Sequence, residues 1–315
     1  MKKIITSNSR ALRSALCTLL LGITALWAMP RNADANPILY AVFPGYSIGK
    51  YDATTGAVIQ SGFISSNCRA MAFSGKIKNL GNTIFVLTPS YQGPPNTPSV
   101  GQYSMTGAVL NLNFITGLYD ETGIAVAGNH LFVAYDQAGV PNNYPTVAEY
   151  NATTGAVKNA NLIVLNSAGG DQAGPLTASG SSLFFAYTDG FNGATICEYN
   201  VTTGAITPHF IVLGSVYTPS ALTVSNNHLF VGYFSLSGTA GTVGEYDATT
   251  GNPINASLIT GLPYGPGGLA VSSNHLLLAE GAGVSEYNAT TGAVINANFI
   301  NFGNIGASQL VIRGK

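Results

Sequence analysis

One hexapeptide recurs along the chain. Tyr150-Asn151-Ala152-Thr153-Thr154-Gly155 returns as Tyr51–Gly56, Tyr199–Gly204, Tyr246–Gly251 and Tyr287–Gly292, and Tyr103–Gly107 is a version one residue shorter. The closing glycines stand at 56, 107, 155, 204, 251 and 292, so the period runs from 41 to 51 residues. A unit of that length cannot bury its own apolar face, and stacked copies signal propeller blades or a related array. The repeat therefore outweighs length as a guide: 315 residues read as one array, not two ordinary domains.

Aligned on the hexapeptide, each unit shows the same four short strands, here A to D. The third unit is the clearest. Gly123–Ala127 is strand A, Gly128-Asn129-His130 a turn, and Leu131–Tyr135 strand B. A polar loop, Asp136–Pro145, leads to strand C at Thr146–Tyr150, the Asn-Ala-Thr-Thr-Gly turn, and strand D at Ala156–Leu165. Ala221–Ser225 with Leu229–Tyr233, and Gly268–Ser272 with Leu276–Ala279, copy the A–B pair. Leu176–Ser179 with Leu183–Tyr187, and Ala70–Phe73 with Ile84–Leu87, are looser copies. Short apolar runs punctuated by Gly, Asn and Pro argue for an all-β array. The hexapeptide explains itself locally, because Asp or Asn at its second position bonds its own backbone and Gly at its end accepts positive φ.

The chain ends fix the blade count. Ile38–Val42 matches strand B with no strand A before it, and Gln309–Ile312 matches strand A with no strand B after it. The economical solution is a six-bladed β-propeller of four-stranded blades, its first blade completed by the C-terminal strand, which removes exposed sheet ends.

Charge and cysteine content narrow the function. Five of the 12 basic residues precede Asn36, leaving seven against 12 acids, and charged residues make up 8% of the chain. No basic face for nucleic acid exists. Lys2, Lys3, Arg10 and Arg13 precede the apolar run Ala15–Trp27, and Ala33-Asp34-Ala35 offers a small-x-small cleavage site. Residues 1–35 are therefore expected to be a cleaved signal peptide and 36–315 the propeller, exported to periplasm, cell surface or medium. The apolar run is short of the roughly 20 residues a membrane span needs, so the mature chain is expected to be a monomer without a span. Cys68 and Cys197 lie more than two periods apart and are not expected to pair.

The unit resembles the NHL, YVTN and quinoprotein-like propeller repeats over 38–312, and Asp-Ala-Thr-Thr-Gly is similar to part of the quinoprotein repeat Ala-x-Asp-x-x-Thr-Gly-x-x-x-Trp. The tryptophans of that repeat are missing, since the one Trp is Trp27. The docking residues of a quinone cofactor are thus absent, and no cofactor is expected. Gluconolactonase-like and regucalcin-like propellers are the enzymatic relatives that the resemblance implies, with a divalent cation held by Glu, Asn and Asp in the channel. The resemblance places strand A along the channel and the D–A and B–C loops on one rim.

No A strand from Ala70 to Ile312 carries a carboxylate or His, whereas a hard cation wants six or more oxygens. The rim is better furnished. Its D–A loops are expected to bring Arg69, Tyr119, Asp120, Glu121, Asp171, Tyr217 and Tyr264, and its strand-B ends Asp136, Asp189 and Glu280. Tyr217 and Tyr264 occupy equivalent loops of neighbouring blades and are expected to lie close together. With Tyr119, Asp120, Glu121 and Arg69 they form the candidate surface for a protein, peptide or glycan partner. Asp136, Asp171, Asp189 and Glu280 are the candidate cation ligands of an alternative, lactonase-like or lyase-like enzyme; a purely structural surface protein is a third reading. His130, His228 and His275 repeat with the A–B turn, on the opposite rim, as turn residues too dispersed to share a zinc ion. Glu149, Glu198, Glu245 and Glu286 precede the C-strand Tyr and read as a polar band paired with backbone or hydroxyl groups.

Overall fold

The computed structural model describes residues 36–74, 82–88, 98–118, 120–136, 145–164, 172–189, 193–236, 240–303 and 305–313. Among them, 24 strands form six four-stranded antiparallel sheets. Blade 1 holds β1 (Ile38–Phe43), β2 (Ser47–Asp52) and β3 (Val58–Ser65). Blade 2 holds β4 (Ala70–Phe73), β5 (Thr83–Leu87), β6 (Pro98–Ser104) and β7 (Val109–Thr116). Blade 3 holds β8 (Glu121–Ala127), β9 (His130–Asp136), β10 (Pro145–Asn151) and β11 (Val157–Val164). Blade 4 holds β12 (Gln172–Ser179), β13 (Ser182–Asp189), β14 (Gly193–Asn200) and β15 (Ile206–Gly214). Blade 5 holds β16 (Tyr217–Ser225), β17 (His228–Ser235), β18 (Gly241–Asp247) and β19 (Pro253–Leu262). Blade 6 holds β20 (Gly268–Ser272), β21 (His275–Glu280), β22 (Gly283–Asn288) and β23 (Val294–Asn301). The last strand, β24 (Gln309–Arg313), returns to blade 1 and pairs antiparallel with β1, Leu310 opposite Ala41 and Ile38 opposite Arg313. The chain is a six-bladed β-propeller.

Burial follows from this arrangement. B strands lie between neighbouring blades, so β5 is buried at every residue and reads as an unbroken apolar run, Thr-Ile-Phe-Val-Leu. D strands are outer edges, and β3, β7 and β23 share one pattern of five exposed residues, two buried and one exposed. The apolar residues form six cores, each between adjacent blades and none within one. Phe85 and Phe114 of blade 2 meet Leu131 and Tyr150 of blade 3, for example. Leu277 and Phe299 of blade 6 meet Leu39 and Leu310 of blade 1. Each fully buried Leu or Phe contributes roughly 1.5–3 kcal/mol, and the contributions run around the ring without a gap.

Three A strands start earlier than the sequence predicts. β8, β12 and β16 carry register irregularities at Glu121/Gly123, Ala173/Leu176 and Pro219/Ala221. The added residues include Pro175 and Pro219, which strand A tolerates because it is a sheet edge, where the missing N–H costs no ladder bond. Glu121 and Tyr217 consequently belong to strands, not to D–A loops.

Candidate functional site

The repeated turn is structural to its last atom. Asp52, Asn151, Asn200, Asp247 and Asn288 each accept hydrogen bonds at Oδ1 from the N–H groups two and three residues on, at 2.8–3.0 Å. The closing glycines have φ between 69° and 83°. They also seat the turn on the preceding blade: a Cβ on Gly56, Gly107, Gly155, Gly251 or Gly292 would strike the carbonyl of Phe299, Phe63, Phe114, Phe210 or Leu258, respectively. The threonine after the Ala ties the turn to its own A–B turn, Thr153, Thr249 and Thr290 hydroxyls donating to the side-chain oxygens of Asn129, Asn227 and Asn274.

On the A–B rim the histidines do more than end a turn. His130, His228 and His275 open strand B, and their Nδ1 atoms lie 2.6, 2.6 and 2.7 Å from Oε1 of Glu149, Glu245 and Glu286. Blade 4 substitutes a hydroxyl, with Ser182 Oγ donating to Glu198 at 2.8 Å. The glutamates are partnered, but in three blades by imidazole, not by backbone or hydroxyl. Lys158 adds its ammonium to Glu149 at 3.2 Å. The pairing was hidden because the two residues sit diagonally across B and C, Phe132 being the partner opposite Glu149.

The A strands enclose a central channel, each turning toward it the edge on which no further strand pairs. At the D–A mouth a cavity of about 240 Å³ is lined by residues from all six blades. Arg69, Thr122, Gly174, Ser220, Gly267 and Ser308 circle it. Ser308 Oγ donates to the Arg69 carbonyl at 3.1 Å and Thr122 Oγ1 to the Gly174 carbonyl at 3.3 Å, each bond crossing to the next blade. Ser220 Oγ is buried without a partner. The other half of the channel, about 290 Å³, adds Thr177, Thr223 and Arg313 to walls of Val, Leu and Ile.

Among the expected rim residues, Arg69 and Asp120 come together in an ion pair of 2.8 Å that bridges blades 2 and 3. Asp120 has φ of 44°, in the left-handed region. Glu121 is fully buried. Tyr217 is turned inward, its ring packed edge-on against Tyr233 at 5.0 Å, whereas Tyr264 stands 66% exposed in the β19–β20 loop beside Gly281. Among the cation candidates, Glu280 accepts from Ser285 Oγ at 2.5 Å and Tyr287 at 3.2 Å within its own blade. Burial, with the Glu280 charge second, pushes the Tyr287 hydroxyl up to about 12. Tyr119 and Asp171 lie outside the described residues, and only the backbones of Asp136 and Asp189 are described, at the ends of β9 and β13. Among the described residues, no three His, Cys, Asp or Glu side chains converge to hold a metal ion. Cys68 and Cys197 are buried free thiols, pushed by burial up to about 11 and about 12. No helix among the described residues is long and apolar enough to cross a membrane.

Solved structures share this architecture. A chain of the nidogen/laminin complex is 12% identical, covers 88% of this chain and 98% of its own length, and superposes with a TM-score of 0.63. The likeness is one of fold. Apo AztD from Citrobacter koseri is 11% identical over 89% of this chain and 99% of its own, at a TM-score of 0.52. The computationally designed Ika8 protein is 14% identical over 90% and 98%, at 0.50. No protein-family profile matches the sequence, and no curated protein sequence matches it. The propeller is established; NHL-like or quinoprotein-like descent is a resemblance of the repeat.

Proposed function

We propose that the chain is an exported, non-catalytic binding module that engages a protein, peptide or glycan partner through its D–A/B–C rim. The observation that carries this reading is Tyr264. A large aromatic side chain left 66% exposed on the loop between β19 and β20 is costly in water and useful against a partner. The Arg69–Asp120 bridge ties the rim of blades 2 and 3 together. Its hydrogen-bonding capacity, with the hydroxyls of Thr122, Ser220 and Ser308, suits a neutral polar ligand or a peptide backbone. That a protein of this fold occurs in the nidogen/laminin complex is consistent with such use. Export rests on the basic and apolar N-terminal segment.

A glycan array and an envelope-protein pull-down, run in parallel on wild type, Tyr264→Ala and Tyr217→Ala, test the reading. The account expects Tyr264→Ala to lose a captured partner without a change in melting temperature. Tyr217→Ala, which opens a gap against Tyr233, lowers the melting temperature instead. Full capture by Tyr264→Ala would remove the rim as the site.

A further inference from the structure

One inter-blade groove on the A–B rim has the opposite charge from its equivalents. Six positions of strand C are equivalent by register, each opposite the central aromatic or Leu of strand B. Four are Glu149, Glu198, Glu245 and Glu286, and blade 2 has Gln102. Blade 1 has Lys50, opposite Tyr40. Arg313 joins it on the same face: Arg313 pairs with Ile38, two residues from Tyr40 on β1. Both side chains converge on Met105 of blade 2, Lys50 Nζ at 3.4 Å from its carbonyl and Arg313 Nη1 at 3.1 Å from its sulfur.

The surroundings of the two cations are aromatic. Lys50 Nζ lies 3.5 Å from the Phe63 ring centroid, and the Arg313 guanidinium 5.0 Å from that of Phe73. Tyr40, 1% exposed, packs between Phe63 and Phe73. Burial raises the Tyr40 hydroxyl and lowers the Lys50 ammonium, and the Arg313 charge partly offsets the Tyr40 effect. Among the described residues Arg69 and Lys158 each meet a carboxylate, and Lys50 and Arg313 meet none. Asp52 shares their face, but its Oδ1 is held by the Thr54 and Thr55 N–H groups. Two like charges brought to one methionine, half out of water, repel each other, and an anion between them relieves both the repulsion and the desolvation.

We propose that the groove between blades 1 and 2 on the A–B rim binds a small tetrahedral oxyanion, phosphate or sulfate, between Lys50 and Arg313. The guanidinium supplies two parallel donors and the ammonium a third, a geometry that matches several oxygens of one anion. The site lies on the opposite rim from Tyr264 and is independent of the binding function proposed there.

Calorimetric titration of the purified protein with inorganic phosphate and with sulfate, each against sodium chloride at equal ionic strength, is the test. Saturable one-to-one binding of either oxyanion is expected. Lys50→Met, which keeps the packing on Phe63, and Arg313→Gln should each weaken it by about tenfold or more. Asp52→Asn, placing in this turn the residue that three other blades use, should leave binding equal or tighter. Near-ultraviolet circular dichroism confirms that each variant is folded. No saturable binding by folded wild type, or full affinity in either cation variant, would overturn the proposal.

Discussion

The backbone N–H of Met71 donates to the side-chain oxygen of Gln309 in the last strand, at 2.6 Å, across the boundary between blades 1 and 2. Met71 lies in β4, the opening strand of the first complete blade, so this bond ties the two ends of the ring at the channel wall. It also satisfies one donor on an edge that has no strand partner. Gln309→Leu strands that N–H and should destabilise the protein by about 1–3 kcal/mol, read as a lower urea midpoint at unchanged slope. Gln309→Glu, which retains the acceptor, should cost less.

The diagonal pair of His228 and Glu245 makes a second prediction. Glu245 is 5% exposed, so losing its imidazole partner leaves a buried carboxylate poorly satisfied. His228→Ala should cost about 1–3 kcal/mol, and Glu245→Leu in the His228→Ala background should recover part of it. A double-mutant cycle by urea denaturation at neutral pH checks the sign. Strict additivity would mean that the pair is not coupled.

Asp247 supplies the pH test. Hydrogen bonds from the Thr250 and Thr249 N–H groups, with smaller help from the Thr250 and Asn227 side chains, hold its carboxyl below the ordinary 3.8. A folded-state value below the unfolded one contributes stability above the unfolded value, lost as pH falls through the folded one. Asp247→Asn therefore removes an advantage that exists at pH 7 and vanishes in strong acid. Urea midpoints of the two proteins should differ near neutrality and draw together as pH falls through the lowered carboxyl range.

The repeated glycines separate two effects that the sequence merges. Gly204 has φ of 75° with open space around it, whereas a Cβ on Gly155, at φ of 72°, would run into the Phe114 carbonyl of the preceding blade. Gly204→Ala should cost only the left-handed backbone penalty, about 1–2 kcal/mol. Gly155→Ala should cost clearly more by the same denaturation measurement. Equal costs would show that the turn does not bear on its neighbour.

Much of the architecture was legible because it repeats. The hexapeptide fixed the blade boundaries, and the unmatched Ile38–Val42 and Gln309–Ile312 segments fixed the closure, since each lacked the partner that the other provides. The rim was harder to read. Strand A tolerates Pro175 and Pro219 because it is an edge, so Tyr217 belongs to a strand and its ring goes inward, a fact that local pattern does not contain. The His–Glu pairs were missed for a related reason: residues far apart in sequence became diagonal neighbours only through the B–C register. Lys50 and Arg313 stand some 260 positions apart and meet only because the ring closes.

Closure is the claim on which both rims depend, and a cross-link tests it most directly. Ile38 and Arg313 are directly opposed in β1 and β24, a separation within the range a disulfide spans. The Ile38→Cys/Arg313→Cys double variant, oxidised while folded, should form an intrachain disulfide nearly quantitatively and unfold at a higher midpoint than its reduced form. If both introduced thiols stay free in the folded, oxidised protein, in addition to the native Cys68 and Cys197, the closed ring is contradicted.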